Sequence, residues 1–334
     1  MKKCAYCGST LGTPKHQKTD EHIIPASLIR LFPEQDITNN FGKTYVDNRG
    51  MTISDVCASC NNGILSKLDA YGQNIIEQYF YETFNIKDYN TPFAINLDPN
   101  LFARWILKIT YNMLRTNKKT TTYISPTIPY IMGEIEEYPN NLSIYMGTHI
   151  NINPVPEEFF EYFPLQMNYN PIFEYVSFFR QMSGEKSKRL LLKGCGQSFS
   201  IRFASCIILL ILWKDTTSDK NKSNISASLM DDFRFTQLHS NIMDYTVRCV
   251  SSPTNVMTSN YCHFLSELAV QDTVSTIEES IQGRDIEEAQ KEFTQLWTPE
   301  MTRKGRALTE LSMFPGNKKK LQQYEKYFGK KNNI

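Results

Sequence analysis

No apolar stretch in this sequence approaches the length of a membrane-spanning helix: the longest, Cys206–Trp213, has eight residues, against roughly 20 needed to cross a bilayer. A secretory leader is missing too, because Met1-Lys2-Lys3 leads straight into Cys4 and polar sequence where an apolar core should stand. The expected location is cytoplasmic, with no membrane partner. Beyond Tyr81 there is no internal repeat, no Gly-rich phosphate loop and no nucleophile elbow, so solenoids, P-loop enzymes and α/β-hydrolase chemistry have no signal there. Charge of one sign is lacking as well, at a net +1. Its distribution is uneven, however. Asp272 to Glu300 holds eight acidic residues against Arg284 and Lys291, whereas Arg303 to Ile334 holds nine Lys or Arg against Glu310 and Glu325. That basic tail reads as a solvated helix face, with nucleic-acid contact as the sharper alternative.

What is present describes a globular protein: 41% hydrophobic and 21% charged residues, with 20 Phe and 18 Tyr. A chain of 334 residues exceeds what one compact core usually holds, so two domains are expected. In a reducing compartment eight cysteines are not a disulfide framework, and the question becomes which of them bind metal. Cys195, Cys206, Cys249 and Cys262 stand alone beside apolar sequence and read as buried, inert thiols. Cys4-Ala5-Tyr6-Cys7 and Cys57-Ala58-Ser59-Cys60 differ. A C-x-x-C pair bends the backbone so that both sulfurs reach one tetrahedral ion, and two pairs close a Cys4 zinc site. A redox C-x-x-C would want a βαβ setting that the first dozen residues do not offer.

The loop between the pairs carries the chemistry. Glu21-His22-Ile23-Ile24-Pro25 reads as the end of a strand, which the proline forces the chain to leave. Met51 to Val56 alternates apolar and polar residues with one slip, as a second short strand does. From about Ser59 to Tyr81 the apolar positions Ile64, Leu65, Leu68, Tyr71, Ile75 and Tyr79 recur at threes and fours, the period of a helix. Strand, strand, helix places Asn61 in the first helical turn, with His22 on the hairpin facing it.

C-x-x-C, Glu-His-Ile-x-Pro and C-x-x-C-Asn opening a helix together resemble the HNH, or ββα-metal, endonuclease superfamily, especially its members stapled by a Cys4 zinc. The matching elements cover roughly residues 4 to 82. The resemblance implies that His22 is the general base that takes a proton from the attacking water. An imidazole with an ordinary pKa of about 6.5 suits that task at neutral pH. Glu21 and Asn61 would be the ligands of a catalytic Mg2+ or Mn2+. Asp20 replaces Glu21 if the strand register slips by one. The zinc held by Cys4, Cys7, Cys57 and Cys60 would be structural. The family's middle Asn has no counterpart; Thr52 stands there as loop support, with one hydroxyl in place of an amide.

Beyond Tyr81, residues 85–100 read as a linker in which Asp98 or Asn100 caps the next helix. Leu101 to Thr116 is amphipathic, and at about 100° per residue Arg104, Lys108, Tyr111 and Arg115 form one stripe. Arg104, Lys108 and Arg115 are candidate phosphate contacts. Leu142 to Ile152, Phe173 to Gln181, Arg189 to Lys193 and Ser198 to Trp213 look like strands, Ser183-Gly184-Glu185-Lys186 like a hairpin turn, and Asp215 to Asn224 like an exposed loop. Ile277 to Leu296 and Lys318 to Phe328 read as helices. The expected fold is α+β: an N-terminal ββα-metal, zinc-stapled nuclease domain (1–84), the linker, a larger α+β domain of unknown type (101–271) that recognises a target or binds an effector, and a helical C-terminal segment with a basic tail (272–334). The expected function is metal-dependent phosphodiester hydrolysis in nucleic acid, DNA ahead of RNA. By analogy it serves in restriction or phage defence. A single site cuts one strand, which makes a homodimer the expected route to double-strand cleavage. The competing expectation is a zinc-stabilised nucleic-acid-binding or interaction module without catalysis.

Overall fold

The computed structural model describes residues 2–31, 38–40, 43–45, 51–81, 91–148, 172–176, 178–180 and 189–250, together with Gln322, Glu325 and Lys326. Its N-terminal unit begins with strand β1 (Lys18–His22), which Pro25 separates from the short helix α1 (Ala26–Ile29). A small hairpin follows, β2 (Thr38–Asn40) against β3 (Lys43–Tyr45). Strand β4 (Thr52–Cys57) then returns antiparallel to β1, with Thr19 opposite Val56, Glu21 opposite Ile53 and His22 opposite Thr52. Between the first two of these pairs the register shifts: Ser54 and Asp55 together face Asp20. The slip in the alternation of Met51–Val56 is therefore a bulge in β4.

At Cys57 the chain turns into a helical run: the single turn α2 (Ala58–Cys60), a wide turn Asn61–Leu65, and α3 (Ser66–Tyr79). The expected helix from about Ser59 to Tyr81 is present but kinked at Gly63 (φ −95°, ψ −108°). Ser66 Oγ donates to the carbonyls of Asn62 and Gly63, both at 3.0 Å, and so satisfies groups that the kink releases.

Residues 91–148 contradict the expected linker in part. Phe93–Asn96 is a strand, β5, and α4 (Pro99–Thr116) starts directly after it; residues 85–90 lie outside the described part. Asp98 caps α4, its Oδ1 accepting from the backbone nitrogens of Asn100 (2.8 Å) and Leu101 (3.1 Å), with Pro99 in the first turn. The short helix α5 (Ile128–Met132) follows. Helix α4 is buried on almost every side because it lies between the N-terminal unit and a sheet. Trp105 packs on α3 from one side and on Phe203 from another, their ring centroids 5.3 Å apart, while Tyr111 meets Tyr6 edge-on at 5.5 Å.

The sheet has five strands, all antiparallel. They are β6 (Leu142–Thr148), β7 (Ile172–Tyr175), β10 (Cys195–Phe203), β11 (Cys206–Trp213) and β12 (Thr236–Gln237), in the spatial order β12-β6-β11-β10-β7. Two further pairs flank it: β8 (Phe178–Arg180) with β9 (Arg189–Leu191), and β5 with β13 (Asp244–Val247). Strand β11, Cys-Ile-Ile-Leu-Leu-Ile-Leu-Trp, is apolar throughout because both its faces are covered. Ile208, Leu210 and Leu212 join the core shared with α3, α4 and the cysteines; Ile207, Leu209, Ile211 and Trp213 join a second cluster with Ile225 and Leu229. Those two come from α6 (Asp219–Asp231). The polar run 215–224, expected to be a loop, instead contains the start of α6, capped by Ser218 Oγ accepting from Asn221 N at 3.3 Å.

Ser198–Trp213, expected as one strand, is two strands turning at Ala204-Ser205, with Ala204 at φ 50°. Ser205 anchors that turn to the end of α3, its nitrogen and hydroxyl both donating to the carbonyl of Phe80 at 3.2 and 2.9 Å. Residues 149–152, the turn at 183–186 and the helix expected over 277–296 fall outside the described residues, as does the C-terminal segment 272–334 apart from Gln322, Glu325 and Lys326, which are helical. The class is α+β. One hydrophobic cluster joins the cysteine-rich unit, α4 and one face of the sheet, and no helix of the described residues is long and apolar enough to cross a membrane.

Helices α3 and α4 approach closely because residue 72 has no side chain. A Cβ at Gly72 would lie 2.1 Å from two atoms of the Trp105 indole. Gly72→Ala is expected to cost about 2 kcal/mol or more through overpacking, despite the better helix propensity of alanine; chemical denaturation checks this, and an unchanged midpoint would show that the helices separate freely.

Candidate metal centre and the face beside it

Two local structures bring the four cysteines together. The first is a tight turn in which Gly8 N donates to Cys4 O (2.9 Å) and Cys4 N to Ser9 O (2.8 Å). It requires glycine at residue 8, where φ is +71°. The second is the step from strand to helix, with Cys57 as the extended N-cap (φ −85°, ψ 154°) and Cys60 one turn on. Ala5 N donating to Asp55 O (2.9 Å) and Ala58 N donating to Gln17 O (2.8 Å) dock the two. All four sulfurs lie within 4.8 Å of one another, and Cys7 Sγ and Cys57 Sγ are 3.7 Å apart. A tetrahedron with metal–sulfur bonds of about 2.3 Å has edges of about 3.8 Å. The cluster can hold a metal such as zinc, and the donor set fits that ion.

The protons of the cluster respond to burial and to one another. Burial works to raise the Cys57 thiol, but hydrogen bonds from Ser59, His16 and Cys60 bring it down to about 5. Burial pushes Cys4 and, further, Cys60 upward, and the neighbouring sulfurs add to the rise at Cys60. Four thiolates so close cannot all be ionised without a cation, so metal binding displaces the remaining protons. His16 stands beside this cluster, its Nδ1 3.4 Å from Ser59 Oγ, which is itself 3.1 Å from Cys57 Sγ. Cys206 and Cys249 are buried as expected, whereas Cys195 is only half-buried; burial raises Cys195 to about 12 and Cys206 well above its ordinary value. Cys262 is outside the described residues, as are His149 and His263.

The strand pair beside the cluster presents two different faces. His22 and Thr52 stand opposite each other in register, so their side chains share a face. Alternation puts Asp20 on that face as well. Asp20 and Thr52 are exposed, and His22 is half-buried. Among the described residues the imidazole of His22 makes no hydrogen bond of its own. Asn61 connects this strand to the helix, its Nδ2 donating to Thr19 Oγ1 (3.1 Å) and to the carbonyl of Asp20 (3.2 Å). Those bonds occupy the amide nitrogen, which leaves the oxygen as the ligand atom Asn61 can offer.

Glu21 departs from its expected role. It is on the opposite, inner face, 3% exposed, with its carboxylate against the ammonium of Lys108. A buried carboxylate already neutralised by a cation does not fit as the ligand of a hydrated divalent ion. The basic stripe of α4 is corrected for the same reason. Lys108 is fully buried and also donates to both oxygens of Asp69 (2.8 and 2.7 Å). Arg115 is ion-paired with Asp55, donates from Nη2 to Asn112 Oδ1 (2.6 Å) and lies 4.4 Å from the Tyr111 ring centroid. Arg104 is half-buried and donates from Nε to the Ile131 carbonyl (3.1 Å). The stripe faces protein.

The network also contains residues that sequence reasoning missed. Asn112 accepts at Oδ1 from the Tyr6 hydroxyl (2.6 Å), and its Nδ2 lies 3.4 Å from Glu21 Oε1 and 3.5 Å from the His22 carbonyl. Lys108 Nζ is 3.4 Å from the same carbonyl. Burial raises the Asp69 carboxyl to about 6, against the opposing pull of Lys108. The available signal was that Lys108, Asn112 and Arg115 interrupt a helix apolar on nearly all sides. No family model matches the chain, and no curated protein or solved structure is significantly similar to it.

Two measurements check this geometry. A mercurial that blocks thiolates is expected to release one zinc ion per chain to a chromophoric indicator, and Cys57→Ser to lose that zinc and melt at a lower temperature; a fully folded, metal-free wild type contradicts the assignment. Lys108→Ala strands two carboxylates in the interior and is expected to cost about 3–5 kcal/mol in denaturant unfolding.

Proposed function

We propose that this chain is a metal-dependent endonuclease of the HNH type that hydrolyses phosphodiester bonds in nucleic acid, with DNA the favoured substrate and His22 the general base. The observation that supports this most is the Asn61 contact. The strand ending in His22 is bonded directly to the first turn of the helix that leaves the thiolate cluster. A histidine is thus presented on the exposed side of a strand–strand–helix unit that a metal can staple.

On this reading the imidazole takes a proton from water aligned with the scissile phosphorus, its other nitrogen turned to solvent or substrate. The oxygen donors offered to a divalent ion are Asp20, on the outer face with His22, and the amide oxygen of Asn61, with Asp20 replacing the inward Glu21. A hard divalent cation bound there would neutralise charge building on the leaving 3′ oxygen. The stapling metal, surrounded by four sulfurs, serves the fold alone. Phosphate attraction falls to Lys2, Lys3, Lys15, Lys18 and Lys67, all exposed on this unit, in place of the buried α4 stripe. The remainder of the chain serves target or effector recognition, and cutting both strands takes two protomers or two visits by one. A role in restriction or phage defence rests on analogy.

The inward Glu21 favours a second reading, a zinc-stapled binding module without catalysis. Incubation of supercoiled plasmid with the purified protein and zinc-replete His22→Ala, in Mg2+, Mn2+ or EDTA, separates the two. Nicking that needs the divalent ion and falls by about 10²–10⁴ in the variant is the expected result. DNA binding that persists in EDTA, with no cleavage of DNA or RNA by either protein, would select the module.

A further inference from the structure

We propose that helix α4 is the positioning element of His22, with Lys108 and Asn112 holding the backbone of the base from the inner side of the strand pair. This inference rests on the assignment of His22 as the base. Its starting point is the imidazole, which has no hydrogen bond of its own among the described residues, so backbone and rotamer alone set where its nitrogens stand. Across the strands, Thr52 offers one exposed hydroxyl. The inner side is different. Glu21, one residue before, is locked to Lys108; the carbonyl of His22 has Lys108 Nζ at 3.4 Å and Asn112 Nδ2 at 3.5 Å; Ile23, one residue after, is fully buried and donates its nitrogen to Met51 O at 3.0 Å.

Three consecutive residues are thereby held, two of them by α4. Lys108 is in turn held by Asp69 of α3, and Asn112 by Tyr6 and Arg115, so neither donor is free to swing away. Rigid support of this kind matters because a displacement of about 1 Å can cost on the order of 10²-fold in rate. Neither Lys108 nor Asn112 touches substrate in this scheme. They act through the position of His22.

The test is the triple variant Lys108→Met/Glu21→Gln/Asp69→Asn, which removes the ammonium and both of its carboxylate partners at nearly constant volume and so avoids a stranded charge. Zinc content and thermal midpoint establish that it folds; if it does not, Asn112→Ala, which keeps the ion pair, takes its place. The expected result has two parts. Hydrogen–deuterium exchange of the peptide spanning residues 18–24 accelerates at least tenfold while α3 stays protected. On plasmid, kcat falls by roughly 10²-fold with KM and the Mg2+ concentration for half-activation unchanged. A raised Mg2+ requirement would instead make Glu21 a metal ligand and overturn the proposal. Unchanged exchange, or faster exchange with unchanged kcat, also overturns it. If the wild type proves inactive on every nucleic acid, the nuclease assignment fails, and the exchange measurement alone decides whether α4 fixes this strand.

Discussion

Much of the described structure converges on one ammonium group. Lys108 Nζ lies where β1, α3 and α4 meet, with Glu21 and Asp69 as its partners, and its side chain is wholly removed from water. Desolvating three charges costs several kcal/mol per ion, so this arrangement is no guarantee of net stability against a packed apolar alternative. Its consequence is specificity. Helix α4 is buried on nearly every side, and apolar contacts alone tolerate more than one register. Only one register lets the ammonium reach carboxylates on both β1 and α3, and every other leaves a charge unpaired in the interior. The same contact fixes which face of β1 looks inward, and so which residues remain for chemistry outside.

Protonation bears on this centre in an unusual direction. Two carboxylates share one ammonium, and Asp69 is the one that burial raises, from an ordinary 3.8 to about 6, against the pull of Lys108. The folded state then binds that proton more tightly than the unfolded chain, so the contribution of Asp69 to stability is greatest at low pH and declines as pH rises from about 4 to 6. An ordinary surface ion pair behaves in the opposite way. Acidification relieves the excess charge here.

Local chemistry was legible in the sequence and distant partnership was not. Cys4, Cys7, Cys57 and Cys60 could be grouped because the two-residue spacing itself dictates the bend that aims both sulfurs. Asp98-Pro99 announced α4 because caps act over three residues. Even the slip in Met51–Val56 was physical, since it is the bulge that sets two residues opposite Asp20. The Ala204-Ser205 turn went unread because alanine is no turn former and a single serine between apolar runs is a weak signal. Its anchor, the Phe80 carbonyl, is 125 positions away. Ser218 as a cap was hidden inside a polar run. Periodicity placed Arg104, Lys108 and Arg115 on one stripe correctly and could not say what the stripe faced, because solvent and a buried carboxylate on another segment give the same one-dimensional pattern.

That last ambiguity decides how the candidate site is interpreted. In Asp20-Glu21-His22 alternation puts Asp20 on the histidine's side of the sheet and Glu21 on the other. The ion pair at Glu21 shows that the other side is the inner one. On the proposed function, then, the strand divides its labour between faces: Asp20 and His22 outward toward water and phosphate, Glu21 inward toward a fixed cation. The base acquires a held backbone while its ring, among the described residues, makes no hydrogen bond, which leaves the basic nitrogen open to take a proton. Because α4 also packs its Trp105 against Phe203 of β10, the helix behind the base is continuous with the core of the sheet.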